Sequence, residues 1–205
     1  MQWPAALLDA DSRTMRTVSL LLVLTIAGCR SPESAPPKSA PGQPVAMPDF
    51  SLTDQHGQKL RRDDLIGHVW VADFIYVQCS VICLLQSRRM TELQAKMRGR
   101  DVQFVSFSVS PDDGPSSLQK FAKQVTTADQ DRWRLLVADK AAFPNLATTL
   151  GIARSPEEAA RLEIHLWPSF YLVDRKAVVR GIYPAFGDEA QARILKDLVT
   201  LSEAP

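Results

Sequence analysis

Val69-Trp-Val-Ala-Asp-Phe-Ile-Tyr-Val-Gln-Cys79-Ser-Val-Ile-Cys83 is the stretch on which the reading of this chain turns. An apolar run ends in two cysteines four apart, and an amphipathic segment follows them. That order places two sulfurs where a buried strand turns into a helix. On the first turn of a helix, positions i and i+4 share one face, so both thiols can converge on one small object. The unpaired N–H groups and positive dipole end of such a helix favour thiolate over thiol. Paired thiolates exchange electrons as a dithiol and disulfide, or bind a soft metal such as Cu(I). Two buried core cysteines without chemistry are the plainer alternative, since free cysteine packs as a small hydrophobe. The spacing leaves all three open.

Working outward, residues 69–77 are nearly all apolar, as a strand buried on both faces should be. Leu84, Leu85, Met90, Leu93 and Met97 fit helical spacing over 83–97, with Gly99 as the stop. Residues 102–109 read as a second buried strand and 115–125 as a second helix. A short strand at 133–138 precedes a helix at 141–150 that Gly151 ends. A hairpin of 170–173 and 177–183 and an amphipathic helix at 189–201 complete the chain. Upstream, 49–60 reads as a hairpin turning at Gln55-His56-Gly57. Strands alternating with helices, closed by a hairpin and a helix, imply a layered α/β sandwich around a mixed sheet. The cysteines then fall at the carboxyl end of a central strand, where open α/β sheets place their sites.

The 205 residues, 45% of them hydrophobic, suffice for one well-buried domain. A formal net charge of +1, without a Lys/Arg block, argues against nucleic acid as a partner. Three cysteines allow one intramolecular pair and leave one over, Cys29. Met15-Arg-Thr-Val-Ser-Leu-Leu-Leu-Val-Leu-Thr-Ile-Ala-Gly-Cys29 has a basic start and an apolar run over 18–27. That run is too short for a bilayer, which needs roughly 20 residues, but suits a secretory signal. Its ending, Ile26-Ala27-Gly28-Cys29, resembles a bacterial lipobox. The resemblance implies cleavage before Cys29, lipid on its sulfur and acylation of the new amino terminus. An ordinary cleaved signal with an incidental cysteine is the alternative. Asp9 and Asp11 are unwelcome in the leading segment of a signal, which makes Met15 a candidate start of translation. Residues 30–48 shift to Ser, Ala and Pro without apolar periodicity and read as an extended tether. The expected organisation is a signal over 1–28, a lipidated cysteine and tether over 29–48, and a folded domain over 49–205. Such a chain is held at a membrane of the bacterial cell envelope and faces the periplasm or the exterior.

A histidine precedes the terminal hairpin in Glu163-Ile-His165-Leu-Trp-Pro168-Ser-Phe-Tyr-Leu-Val-Asp174. Two cysteines and a histidine make a sensible trigonal copper set, with soft thiolates for Cu(I) and an imidazole that also suits Cu(II). The stretch quoted at the outset is followed by Val102-Gln-Phe-Val-Ser-Phe-Ser-Val-Ser-Pro111, Arg132-Trp-Arg-Leu-Leu, the His165 segment and Gly181-Ile-Tyr. From about residue 48 to the end, that series resembles the SCO/SenC family of thioredoxin-like copper proteins that help to assemble cytochrome c oxidase. The resemblance implies a thioredoxin-like three-layer α/β sandwich with a mixed central sheet. In that fold the His165 segment faces the cysteine helix, and Pro168 takes a place resembling the fold's cis-proline. It also implies copper, Cu(I) or Cu(II), held by Cys79, Cys83 and His165 and delivered to, or maintained for, the copper A centre. The implied partners are the copper-bearing subunit of the oxidase, other copper carriers or thiol reductases, and a membrane through the lipid on Cys29. The chain departs from the family pattern at Ser80, Val81 and Leu84, where Pro, Asp and Pro are usual, and at Ser110-Pro111, usually Asp-Pro. His165 also lies one residue further from Asp174 than the pattern has it. No proposed ligand is lost, but two stiffening prolines and a nearby acid are.

Cys79 and Cys83 also suit, as the alternative, a thiol–disulfide oxidoreductase that reduces cysteines of a partner while cycling through its own disulfide. Three residues separate them where dedicated redox pairs usually have two, which favours the metal without excluding exchange. A peroxide-reducing enzyme fits worst, because Phe74-Ile-Tyr-Val-Gln lacks the Pro and the Thr or Ser such a nucleophile loop needs. His56 in a predicted turn and His68 before a strand read as solvated, and Trp167 and Tyr171 as packing. Asp112-Asp113 reads as an acid pair serving the dipole of the helix that follows. Arg88 and Arg89 read as a solvated helix face.

Overall fold

The computed structural model describes residues 44–79, 81–125, 132–137, 139, 141–160 and 168–204, which fall within the unit Ala35–Pro205. A two-residue strand, Val45–Ala46 (β1), leads into a hairpin of Ser51–Thr53 (β2) and Lys59–Arg61 (β3). The Asp54 carboxylate accepts the backbone N–H groups of His56 and Gln58 at 2.8 and 2.9 Å, and Gly57 takes the positive φ of 79°. A 3-10 turn, Arg62–Leu65, delivers the chain to Val69–Ile75 (β4), all seven residues of which are buried. Helix Val81–Lys96 (α1), strand Val102–Ser108 (β5), helix Pro115–Val125 (α2) and strand Trp133–Leu136 (β6) follow. Two short helices, Phe143–Thr149 (α3) and Pro156–Ala160 (α4), precede the terminal hairpin of Ser169–Val173 (β7) and Val178–Pro184 (β8). Asp188–Glu203 (α5) closes the chain.

Six strands pair in the order β1-β8-β7-β4-β5-β6, and β2 pairs with β3. β4, β5 and β6 run parallel, while β7, β8 and β1 join antiparallel on the other side. Alternation along β4 divides the core into two. Trp70, Ala72 and Phe74 share one side with Phe50, Leu60, Phe107, Phe143 and Tyr171. Val69, Val71 and Ile75 share the other with Met90 of α1, Phe121 of α2 and Ile194 of α5. The result is the expected three-layer α/β sandwich with a mixed central sheet: three helices, the sheet, then the hairpin with the short helices. Among the described residues, no helix is long and apolar enough to cross a membrane.

Among the described residues, three differences from the sequence reading bear on the frame of the site. The folded chain begins ahead of residue 49. Val45 pairs with Val179, and the buried Met47 donates its N–H to the Ala177 carbonyl at 2.8 Å. A two-residue strand among prolines carries too little pattern to stand out from a tether. Helix α4 is also additional, and its signal is a cap: Ser155 Oγ accepts the Glu158 N–H at 3.2 Å, with Pro156 opening the helix. The third difference is the phase of α1. Its buried stripe is Cys83, Gln86, Ser87, Met90, Leu93 and Gln94, which leaves Leu85 exposed with Val81 and Ile82. Heptad-like spacing from Cys83 through Met90 to Met97 sets that phase, and Leu85 falls outside it.

Candidate functional site

The central strand β4 runs out at Ile75, whose carbonyl accepts the Val109 N–H at 2.9 Å. Residues 76–78 then turn, and the Cys79 N–H donates to the Tyr76 carbonyl at 3.1 Å. Cys79 precedes α1 and Cys83 lies in its first turn, with the two Cα atoms 5.7 Å apart and the sulfurs joined in a disulfide. The Cys83 N–H belongs to that first turn, where no helical carbonyl is available, and it donates to Cys79 Sγ at 3.3 Å. Both cysteines are buried, yet Tyr76, Val81, Ile82 and Leu85 beside them are exposed apolar side chains. No acidic side chain occupies the first turn of α1.

Two carboxylates near this junction have roles that the sequence reading missed. Asp113, two residues ahead of α2, is buried, and its Oδ2 accepts the Val77 N–H at 3.0 Å and the Ser108 hydroxyl at 2.7 Å. The sequence signal is weak: short polar residues at 108, 110 and 113 behind a strand, ready to bond one another. Asp73 is fully buried on the face of β4 that meets α1, and its Oδ2 accepts from Gln86 Nε2 at 3.0 Å. Burial pushes this carboxyl up to about 7, against the opposing pull of the Ser106 and Gln86 side chains. Ser106 in turn accepts the Trp133 indole N–H at 2.9 Å. A carboxylate in the middle of an apolar run was the available clue.

His165 and Trp167, like Cys29, lie outside the described residues. Pro168 is described, and its carbonyl accepts the Ala185 N–H at 2.9 Å, but the peptide bond into it begins at Trp167. Tyr171 packs edge-on against Phe74 with centroids 5.5 Å apart, and burial raises its hydroxyl pKa. His56 is exposed in its turn, and His68 Nδ1 lies 2.6 Å from Asp101 Oδ1, away from the cysteines in the chain. Arg88 is exposed and Arg89 pairs with Glu92 at 2.7 Å.

Chemically, the pair has two states. As a disulfide it has no thiolate to offer a metal; reduced, it presents two soft sulfur donors suited to Cu(I). Among the described residues, no group of three His, Cys, Asp or Glu side chains could hold a metal ion.

Comparison with known proteins gives the chain its relatives. The SCO1/SenC family profile matches residues 38–202. The SCO1 protein homolog of Bacillus subtilis (strain 168) is 30% identical over 188 residues, covering 89% of this chain and 93% of that protein. Among solved structures, an SCO1/SenC family lipoprotein from Bacillus anthracis str. Ames superposes with a TM-score of 0.67 at 30% identity, covering 78% of this chain and 98% of its own. BsSco, a member of the Sco family of cytochrome c oxidase assembly proteins in which a disulfide switch has been identified, gives 0.67 at 30% identity over 79% and 96%. The copper-bound ScoI of Bradyrhizobium japonicum shares the fold at 0.57 and 20% identity, over 75% and 99%. With the profile spanning most of its length, the chain belongs to the SCO1/SenC family.

Proposed function

We propose that this chain is a lipid-anchored copper carrier of the bacterial cell envelope. In this reading Cys79, Cys83 and His165 hold copper that is delivered to, or maintained for, the copper A centre of cytochrome c oxidase. The observation that carries it is the Cys79–Cys83 pair at the carboxyl end of β4 in a chain of the SCO1/SenC family. The copper-bound relative supports copper as the cargo. The place of BsSco among oxidase assembly proteins supports the copper-bearing oxidase subunit as recipient. Ile26-Ala27-Gly28-Cys29 and the lipoprotein relative support the anchor.

Reduction comes first in the sequence of events. A partner dithiol passes two electrons and two protons to Cys79 and Cys83 and leaves as a disulfide. The freed thiols lose their protons on binding Cu(I), a loss that the amino-terminal end of α1 favours. His165 adds an imidazole, which matters more to Cu(II) than to Cu(I).

The disulfide is equally compatible with a second reading, a thiol–disulfide oxidoreductase acting on cysteines of a partner such as an apo-oxidase subunit. Titration of the full-length chain, reduced and held in detergent, with Cu(I) and Cu(II) tests the first. One bound Cu(I) is expected, with tight binding lost in Cys79→Ser and in Cys83→Ser. Unchanged Cu(I) affinity in the double cysteine variant would refute the assignment.

A further inference from the structure

We infer that Asp113 is the positioning residue of the Cys79–Cys83 pair, holding the 76–78 loop in the shape in which the two sulfurs meet. The inference rests on the reading of that pair as a redox and copper site. A buried carboxylate is costly unless its surroundings use it. Asp113 Oδ2 accepts two bonds, both from neutral donors: the Val77 N–H at 3.0 Å and the Ser108 hydroxyl at 2.7 Å. Its own loop fixes it from behind. Ser110 donates its N–H to Ser108 Oγ at 3.2 Å, and the Asp113 N–H donates to the Ser110 carbonyl at 3.2 Å. A line of bonds therefore runs from the end of β5 through Ser108 and Asp113 to Val77, two residues before Cys79.

Among the described residues, no hydrogen bond ties this carboxylate to helix α2. The amino end of α2 is met by Ser117, whose hydroxyl accepts the Gly114 N–H and lies 2.9 Å from the Gly114 carbonyl. The Leu118 N–H bonds the Gly114 carbonyl at 3.0 Å. Asp113 Oδ2 instead meets the segment that leads to Cys79. Among the described residues, loop 76–78 otherwise carries one turn bond, from the Cys79 N–H to the Tyr76 carbonyl. Freed from Asp113, Val77 would let Cys79 sample positions away from Cys83, and the effective concentration of one thiol at the other would fall.

The test is the thiol–disulfide equilibrium of the full-length chain in glutathione buffers. There two glutathione thiols supply two electrons and two protons to the pair and leave as glutathione disulfide. Asp113→Ala should lower the constant for disulfide formation about tenfold, a shift of about 30 mV for a two-electron couple. Asp113→Asn should restore most of it, because the amide oxygen can still accept the Val77 N–H. A wild-type constant in the alanine variant, or an asparagine variant as impaired as alanine, overturns the assignment. Should the alanine variant fail to fold, Ser108→Ala decides in its place: a fall of about threefold or more supports the latch, and no change overturns it. Glutathione exchange needs no copper. A chain that binds no Cu(I) would thus sink the carrier reading and leave this measurement standing.

Discussion

Gln86 of α1 donates to the Asp73 carboxylate of β4 across 3.0 Å, one helical turn beyond Cys83. The same amide lies 3.5 Å from the Ser169 carbonyl of β7, so one side chain ties the cysteine helix to two strands. This polar tie sits where α1 would ordinarily bury a leucine. Among the described residues, Ser87 Oγ beside it is buried with no hydrogen-bond partner. The exposed Val81, Ile82 and Leu85 are the counterpart: these apolar side chains of α1 face outward while Gln86 and Ser87 face in.

Asp73 makes stability pH-dependent with a definite sign. Its carboxyl is pushed from the ordinary 3.8 up to about 7, so the folded chain keeps this proton where the unfolded chain loses it. Stability should therefore be greatest below the unfolded value and fall as pH rises toward the folded one, by on the order of 4 kcal/mol at most. Asp73→Asn should match the wild type near pH 4 and exceed it at pH 8. Urea unfolding of the two proteins across that range checks this. Parallel stability curves would show that Asp73 does not titrate there.

Gly181 in β8 lies opposite Leu172, and Tyr183 two residues on folds its ring over it. A Cβ at 181 would stand 2.5 Å from the Tyr183 hydroxyl and 2.7 Å from two ring carbons. The ring is not free to yield, because its hydroxyl donates to Asp197 of α5 at 2.5 Å. Gly181→Ala should cost about 1–3 kcal/mol, the usual range for overpacking. Adding Tyr183→Ala should make the glycine substitution nearly silent, since the clashing group is gone. Additive losses in that double-mutant cycle would place the strain elsewhere.

The regular frame was legible because hydrophobic periodicity is local. The apolar run at 69–77 and the amphipathic 115–125 could be read without partners, and β4 and α2 lie there. What escaped depends on tertiary register. No pattern in Gln86 or Asp73 says that one helix turn will stand over one strand residue. Leu84 and Leu85 look equivalent until Cys83, Met90 and Met97 fix the helix phase, and only then does Leu85 point outward. Asp113 failed for the same reason: its partner Val77 is 36 residues away, whereas the predicted helix was next door. Cys79 and Cys83 were legible as a pair because the contact between them is local.

Anchoring through Cys29 has a simple biochemical test. One acyl chain binds a membrane only marginally, whereas two or more hold stably. Cys29→Ser should therefore convert a membrane-bound protein into a soluble or unprocessed species, measured by fractionation after a high-salt wash. Normal membrane retention of that variant would remove the lipoprotein reading and leave an ordinary signal.

Carrier and reductase part company at His165. Both readings let Cys79 and Cys83 form a disulfide in an oxidising compartment, so the bond by itself favours neither. Thiol exchange needs only the two sulfurs, while the proposed copper set uses all three groups. For a carrier, His165→Ala should reduce oxidase assembly nearly as much as loss of a cysteine, and added copper should partly restore it. For a reductase, the same variant should assemble oxidase normally and ignore added copper. The Pro and Asp missing at Ser80 and Val81 are not among the proposed ligands, so the contrast still turns on His165. Oxidase activity of a His165→Ala strain, read at limiting and at replete copper, separates the two. Full activity at limiting copper would move the function to thiol exchange.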